Sequence, residues 1–314
     1  MIAIGIDIGG TSIKGAAVDS IGKVFDTFSM PVAKGEPGEI TISKLAELVK
    51  DYISSRRLEN KIVGIGIGCP GTLDVKNGVV EYSNNLCWNQ LPVAEIMGRV
   101  LPYPIRLTND ANAAALGEAK YGAGKEYKDI IMLTLGTGVG GGIIINGKLY
   151  EGNLGKGGEL GHIVVQVDGE PCTCGRKGCL EAYASATALI RETKKTMLKN
   201  KKSLLWKICP EIEMVGGKTP FEAAKQGDKD AICVLDNYIK YLGEGILNYC
   251  NIFRPEAIVL SGGIANAGEY LFNRLNEYVK DRNYGYKMTP EVKILPAKIG
   301  YDSGKIGAAA LFFE

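Results

Sequence analysis

Short, dense apolar runs that end in polar or glycine clusters set the rhythm of this chain. Ile2 to Ile6 reads as a buried strand, Gly9-Gly10-Thr11 as a tight turn and Ile13 to Val18 as the returning strand, which leaves Asp7 and Thr11 at a hairpin tip. Ile130 to Leu135 repeats the device, with Gly136-Thr137-Gly138-Val139-Gly140-Gly141-Gly142 as the turn and Ile143-Ile144-Ile145-Asn146-Gly147 returning. Ile105 to Thr108 reads as a short strand that runs through Asn109-Asp110 into the helix-forming stretch Ala111 to Glu118, and Thr41 to Tyr52 reads as a helix covering one face of a first sheet. Ile258 to Leu260 is a further strand, followed by the turn Ser261-Gly262-Gly263 and a helix through Tyr270 and Leu275. Asp302 to Ala310 begins like a capped helix and continues with small residues that permit close packing. Strands alternating with helices predict an α/β protein.

The glycine turns carry the first hint of chemistry. Gly136, Gly138 and Gly141 formally satisfy G-x-G-x-x-G, but a dinucleotide fold needs a helix next and a β-branched run follows instead. A G-x-x-x-x-G-K-[ST] loop is also absent. Glycine-rich hairpin tips still present backbone N–H groups to an anion without Cβ obstruction, with Thr hydroxyls beside them; the competing reading is that these glycines only make tight turns. Asp7, at the end of an apolar strand, needs a partner, either magnesium with its water shell or its own turn. Asp110 follows a strand at its C-terminal end, where open α/β sheets bind ligands. It suits a general base for a hydroxyl, with Asn109 fixing the acceptor, or else a helix cap. A phosphate cradle, a divalent ion and a base are together what phosphoryl transfer requires. The loops Tyr82 to Asn89 and Gly66 to Gly71 hold amides and an aromatic ring suited to a sugar, or are ordinary loops.

The single histidine, His162, lies ten residues before Cys172-Thr173-Cys174-Gly175-Arg176-Lys177-Gly178-Cys179. One imidazole and three thiols match the four tetrahedral ligands of structural zinc, and glycines at Gly175 and Gly178 let the sulfurs converge. A disulfide, or three buried thiols beside a packed histidine, is the rival reading. Glu159 and Glu181 flank the cluster, and the second nitrogen of a metal-bound His162 would be free to orient a polar ligand. The other cysteines, Cys69, Cys87, Cys209, Cys233 and Cys250, are scattered and are given no role.

At 314 residues and 46% apolar content the chain supports two ordinary domains. With 37 basic against 35 acidic residues, net +2, it offers no broad electrostatic attraction for nucleic acid or membrane. A signal peptide and long apolar spans are not evident, so a cytoplasmic location is expected.

Asp7-Ile8-Gly9-Gly10-Thr11, Asn109-Asp110, Gly136-Thr137-Gly138-Val139-Gly140, Glu159-Leu160-Gly161-His162 and Cys172-x-Cys174-Gly175-x-x-Gly178-Cys179-Leu180-Glu181 together resemble the ROK family of sugar kinases and repressors. The order and spacing look most like those of its bacterial ATP-dependent glucokinases. The resemblance implies a two-domain ribonuclease-H-like ATPase fold of the actin, Hsp70 and hexokinase type, with a cleft that closes on its ligands. It implies Asp110 as the base, with Asn84, Asn109, Glu159, His162 and Glu181 as sugar contacts. His162, Cys172, Cys174 and Cys179 would hold zinc. Asp7, Gly9, Gly10, Thr11, Lys14, Thr137 and Gly138 would hold phosphates and Mg2+, and Gly262 and Gly263 would lie near the adenosine of ATP. The expected division is 1–115 plus 301–314 as a smaller domain and 116–300 as a larger one bearing the zinc. The expected reaction is ATP-dependent phosphorylation of an aldohexose at its 6-hydroxyl, with glucose first and mannose, fructose, N-acetylglucosamine and N-acetylmannosamine as rivals. A non-catalytic sugar sensor is the alternative of another class. Repressors of this family carry a winged helix-turn-helix ahead of the first hairpin, which here starts at Met1, so DNA binding is not expected; a homodimer is the family's usual state.

Overall fold

The computed structural model describes residues 1–33 and 35–313; Lys34 and Glu314, both inside the expected smaller domain, lie outside the described residues. Strands β1 (Ile2–Ile8), β2 (Ser12–Asp19) and β3 (Val24–Pro31) form an antiparallel meander, and helix α1 (Gly38–Ser55) crosses to β4 (Ile62–Cys69). A small ribbon of β5 (Thr72–Asp74), β6 (Val79–Ser83) and β7 (Trp88–Leu91) follows, and α2 (Val93–Gly98) then leads to β8 (Ile105–Asn109) and α3 (Asp110–Tyr121). The resulting sheet has the order β3-β2-β1-β4-β8, with β1, β4 and β8 parallel.

The two faces of this sheet are written in the alternation of β4. Ile65 and Ile67 join Ile4, Ile6, Ile42, Leu45 and Val49 in a fully buried core under α1. Gly64, Gly66 and Gly68 face the other way, the first two toward the C-terminal segment and Gly68 toward α3. A Cβ on Gly5 or on its register partner Gly66 would come within 1.8 Å of the Lys305 or Ala308 carbonyl oxygen. Close approach of that segment therefore depends on residues without side chains at this crossing.

The second half of the chain comprises β9 (Ile130–Leu135), β10 (Val139–Ile145), β11 (Lys148–Tyr150), α4 (Glu181–Ala184), α5 (Ala186–Lys199), α6 (Leu205–Ile208), α7 (Thr219–Lys225), α8 (Lys229–Phe253), β12 (Ala257–Ser261), α9 (Glu269–Lys280) and β13 (Lys293–Pro296). The last helix, α10 (Ser303–Ala310), follows. The second sheet has the order β11-β10-β9-β12-β13, with β9, β12 and β13 parallel. Helix α8 is 25 residues long and amphipathic; it is capped at Asp228, which accepts the Ala231 N–H at 2.7 Å, and ends at Arg254 in the left-handed region.

The chain divides into two compact units, 1–128 with 142–158 and 298–314, and 129–141 with 159–297. This differs from the expected boundaries at 115 and 301. Helix α3 continues to Tyr121 and packs on α10 through Gly117 and Gly307, and the buried Glu118 carboxylate accepts the N–H groups of Lys298, Ile299 and Gly300 at 3.0, 2.7 and 3.1 Å. These bonds fasten the segment leading into α10 to the first unit. Two smaller expectations also change. The second hairpin turn is only Gly136 to Gly138, because Val139 to Gly142 already pair as strand; Asp302 makes no side-chain cap for α10 and instead pairs with Lys305 at 2.7 Å.

Candidate functional site

In the first unit the C-terminal ends of three parallel strands line up. Register places Asp7 beside Gly68, and Cys69 beside Asn109, so that Asp7 and the Asn109-Asp110 pair emerge on one edge of the sheet. The cap that the sequence offered to Asp110 belongs to Asn109, whose side-chain oxygen accepts from Ala111 N at 2.9 Å and Asn112 N at 3.4 Å. Asp110 becomes the first residue of α3 and its Oδ1 accepts only the adjacent Ala111 N–H among the described residues, at 2.9 Å. The carboxylate is thus released from the structural duty that was its main rival assignment. Burial raises its pKa, partly offset by the backbone N–H groups of Ala111 and of Asp110 itself.

Asp7 is raised to about 6, by burial first and by the negative charge of Asp110 second; Lys14 and Lys305 oppose the shift. Lys14 is the antiparallel register partner of Asp7 on β2. Gly304 of α10 lies against the Asp7 carboxylate, where a Cβ would stand 2.9 Å from Cγ. Two carboxylates at one sheet edge, with Lys14 and Lys305 near them, have the donor chemistry that suits a cation or a group carrying one. The hairpin beyond is tight, with Gly9 N donating to Ser12 O at 3.0 Å, and Gly10 and Thr11 are exposed at its tip. Asn84 is exposed after β6, its Oδ1 accepting from the Tyr82 hydroxyl at 3.2 Å.

The second unit gathers the remaining candidates. Ser261 pairs with Thr134 at the ends of β12 and β9, which puts Gly262-Gly263 next to the turn Gly136-Thr137-Gly138. Gly262 has φ +91°, and a Cβ there would fall 2.5 Å from the Leu135 carbonyl oxygen, so glycine is required on both counts. Gly136 and Gly263 open onto free space and need glycine for neither reason, which fits backbone left bare for a ligand. The turn is anchored from behind: Gly136 O accepts from Ala186 N, and Thr137 O from the Thr187 hydroxyl, both at 2.8 Å.

His162, Cys172, Cys174 and Cys179 converge, their ligand atoms all within 4.8 Å of one another. Cys172 Sγ lies 3.6 Å from His162 Nδ1, and Cys174 Sγ lies 3.7 Å from Cys179 Sγ. Tetrahedral zinc with Zn–S near 2.3 Å sets its sulfurs roughly 3.8 Å apart, whereas a disulfide needs about 2.05 Å; all eight cysteines are free thiols. The Arg176 N–H holds the Cys174 thiol below its usual pKa. With Nδ1 turned to the sulfurs, Nε2 of His162 remains for a ligand. Glu159 is exposed and its carbonyl accepts the His162 N–H at 3.0 Å, closing the short turn that aims the imidazole. Glu181, in the first turn of α4, accepts from Val139 N and from the Thr173 hydroxyl, each at 3.0 Å.

Three contributors were not singled out from sequence: Glu118, Thr173 and Glu151, whose carboxylate accepts the buried Thr108 hydroxyl at 2.6 Å. No local pattern marks them, since each acts on a partner distant in the chain or across a loop.

A glucokinase of Thermotoga maritima is 36% identical over 315 residues, covering 99% of this chain and 97% of the relative. A ROK family glucokinase from Streptomyces griseus, solved in complex with glucose and AMPPNP, is 33% identical with a TM-score of 0.81 and 99% coverage of both chains. A ROK hexokinase from Thermus thermophilus is 32% identical, with a TM-score of 0.84 over 98% of this chain and 97% of that one. The two-unit α/β architecture is that of these kinases. The ROK family profile matches residues 3–314, and the chain belongs to the ROK family.

Proposed function

We propose that this protein is an ATP-dependent hexose kinase that transfers the γ-phosphoryl group of ATP to the 6-hydroxyl of glucose. The observation that carries the reading is Asp110: Asn109 has taken over the helix cap, and a partly desolvated carboxylate is left at the sheet edge where ligands bind. Its raised pKa makes it a stronger proton acceptor, suited to taking the proton of the 6-hydroxyl as that oxygen attacks phosphorus. Asn109 keeps its Nδ2 for the sugar while its Oδ1 caps the helix. Asn84, Glu159, Glu181 and Nε2 of His162 are assigned to the other hydroxyls.

Phosphates are assigned to the N–H groups and hydroxyls of Gly9, Gly10, Thr11, Thr137 and Gly138, with Lys14 adding positive charge, and the adenosine to Gly262 and Gly263. Magnesium, held through water by Asp7, would offset phosphate charge; the half-buried carboxylates of Asp7 and Asp110 fit a divalent cation. His162, Cys172, Cys174 and Cys179 fit structural zinc by donor chemistry and by spacing. Its place is to fix the knuckle from which His162 and Glu181 project.

A coupled ATP-consumption assay with magnesium against glucose, mannose, fructose, N-acetylglucosamine and N-acetylmannosamine tests the reading. Glucose is expected to give the highest kcat/KM. Preference for another sugar would change the substrate and keep the mechanism. Absence of turnover with all five, despite sugar binding, would replace the kinase with a sensor.

A further inference from the structure

The Glu181 carboxylate sits between a turn and the cysteine knuckle, where Cys172 Sγ also lies 3.6 Å from its Oε1. Its Oε2 accepts the N–H of Val139, the first strand residue after the Gly136-Thr137-Gly138 turn, and its Oε1 accepts the hydroxyl of Thr173 inside the cysteine knuckle. The fit is close enough that a Cβ on Gly138 would lie 2.3 Å from Oε2, so Gly138 is the residue that admits the carboxylate. The turn's other anchors, Ala186 N and the Thr187 hydroxyl, bind Gly136 and Thr137 carbonyls on its leading side. Among the described residues, Glu181 is the one side chain that bonds its trailing side.

A negative charge beside a turn meant for phosphate works against affinity through simple Coulomb repulsion. What the carboxylate supplies is geometry: it takes the Val139 N–H out of competition and fixes the trailing backbone of the turn. We propose that Glu181 is a positioning residue for the nucleotide, holding the Gly136–Gly138 turn in its phosphate-binding shape and tying that turn to the cysteine knuckle through Thr173. This rests on the assignment of the turn to ATP phosphates. It predicts that the two ligands communicate through one side chain, since the residue assigned to a sugar hydroxyl is also the one that shapes the nucleotide turn.

The test measures MgADP binding by calorimetry with sugar absent, so that loss of a sugar contact has no effect on the reading. Glu181→Gln keeps an acceptor for Val139 N and a donor for the Thr173 hydroxyl while removing the charge, and should bind MgADP as well as the wild type or better. Glu181→Ala should weaken it about tenfold, the scale of one lost charge-assisted hydrogen bond, and should speed amide exchange at Val139. If Glu181→Ala does not melt cooperatively, Glu181→Asp, one methylene short of Val139, replaces it with the same expectation. Equal affinity in wild type, Gln and the truncated variant would overturn the proposal alone. A wild-type protein that binds no MgADP would overturn the nucleotide assignment itself and the proposal with it.

Discussion

Asp7 shows how a half-buried carboxyl at a candidate site weighs on the fold that carries it. Its carboxyl titrates near 6 in the folded protein and near 3.8 unfolded, so between those values the folded state holds more protons. Stability therefore falls as pH rises through that window, and above about 6 the ionised group costs on the order of 3 kcal/mol. Asp7→Asn should stabilise the ligand-free protein by that order at pH 7, with the difference between the two proteins vanishing below pH 4; urea denaturation at both pH values measures it. A variant no more stable than wild type at pH 7 would show that Lys14 and Lys305 already neutralise the cost. Asp110→Asn should lower kcat by about a hundredfold or more, the contribution of a general base, with sugar affinity by calorimetry little changed. Retained turnover would take Asp110 out of the chemistry. Both residues were legible as carboxylates at strand ends, but the choice between cap and base was not. That choice turned on which of two neighbouring side chains reached on to Asn112 N, since both meet Ala111 N.

At the scale of elements, glycine periodicity decided how tightly α10 could seat. Gly307 lies against α3 with a would-be Cβ 1.7 Å from the Ala113 carbonyl oxygen, and backbone on both sides leaves no flexible group to give way. Gly307→Ala should destabilise by about 1–3 kcal/mol, the usual penalty of overpacking, read as a lower denaturation midpoint at unchanged m. No change would mean that α10 shifts freely on α3. The small residues of 303–310 announced close packing from sequence alone. The partners did not show there, because Gly5, Gly66 and Gly117 stand far away in the chain and only the parallel register of β1 with β4 brings two of them side by side. The second hairpin illustrates the opposite limit: a run of glycines reads as one long turn, yet pairing begins at Val139, since strand bonds are backbone bonds that glycine can also make.

Across the whole molecule, the charges nearly cancel. A net charge of +2 gives no field for polyanions, and among the described residues no helix is long and apolar enough to cross a membrane. The zinc assignment is a property of the folded chain, because His162 meets the cysteines only once the turn at 159–162 and the knuckle at 172–179 are formed. Metal analysis should find one zinc per chain. Chelation, or His162→Ala, should lower the thermal midpoint and weaken sugar binding together; an active protein free of zinc would refute the assignment. By itself the sequence determined the strands and helices that carry the candidate site, the places of the glycine clusters, the four side chains that could hold a metal and the identities of the acids, because these follow from local periodicity and residue chemistry. Tertiary structure alone decided that Asn109 caps α3 in place of Asp110, that Asp7 feels Asp110, and that Glu181 spans turn and knuckle. Those outcomes depend on distances between residues that are remote along the chain, or on competition for a single N–H, and neither is encoded in spacing.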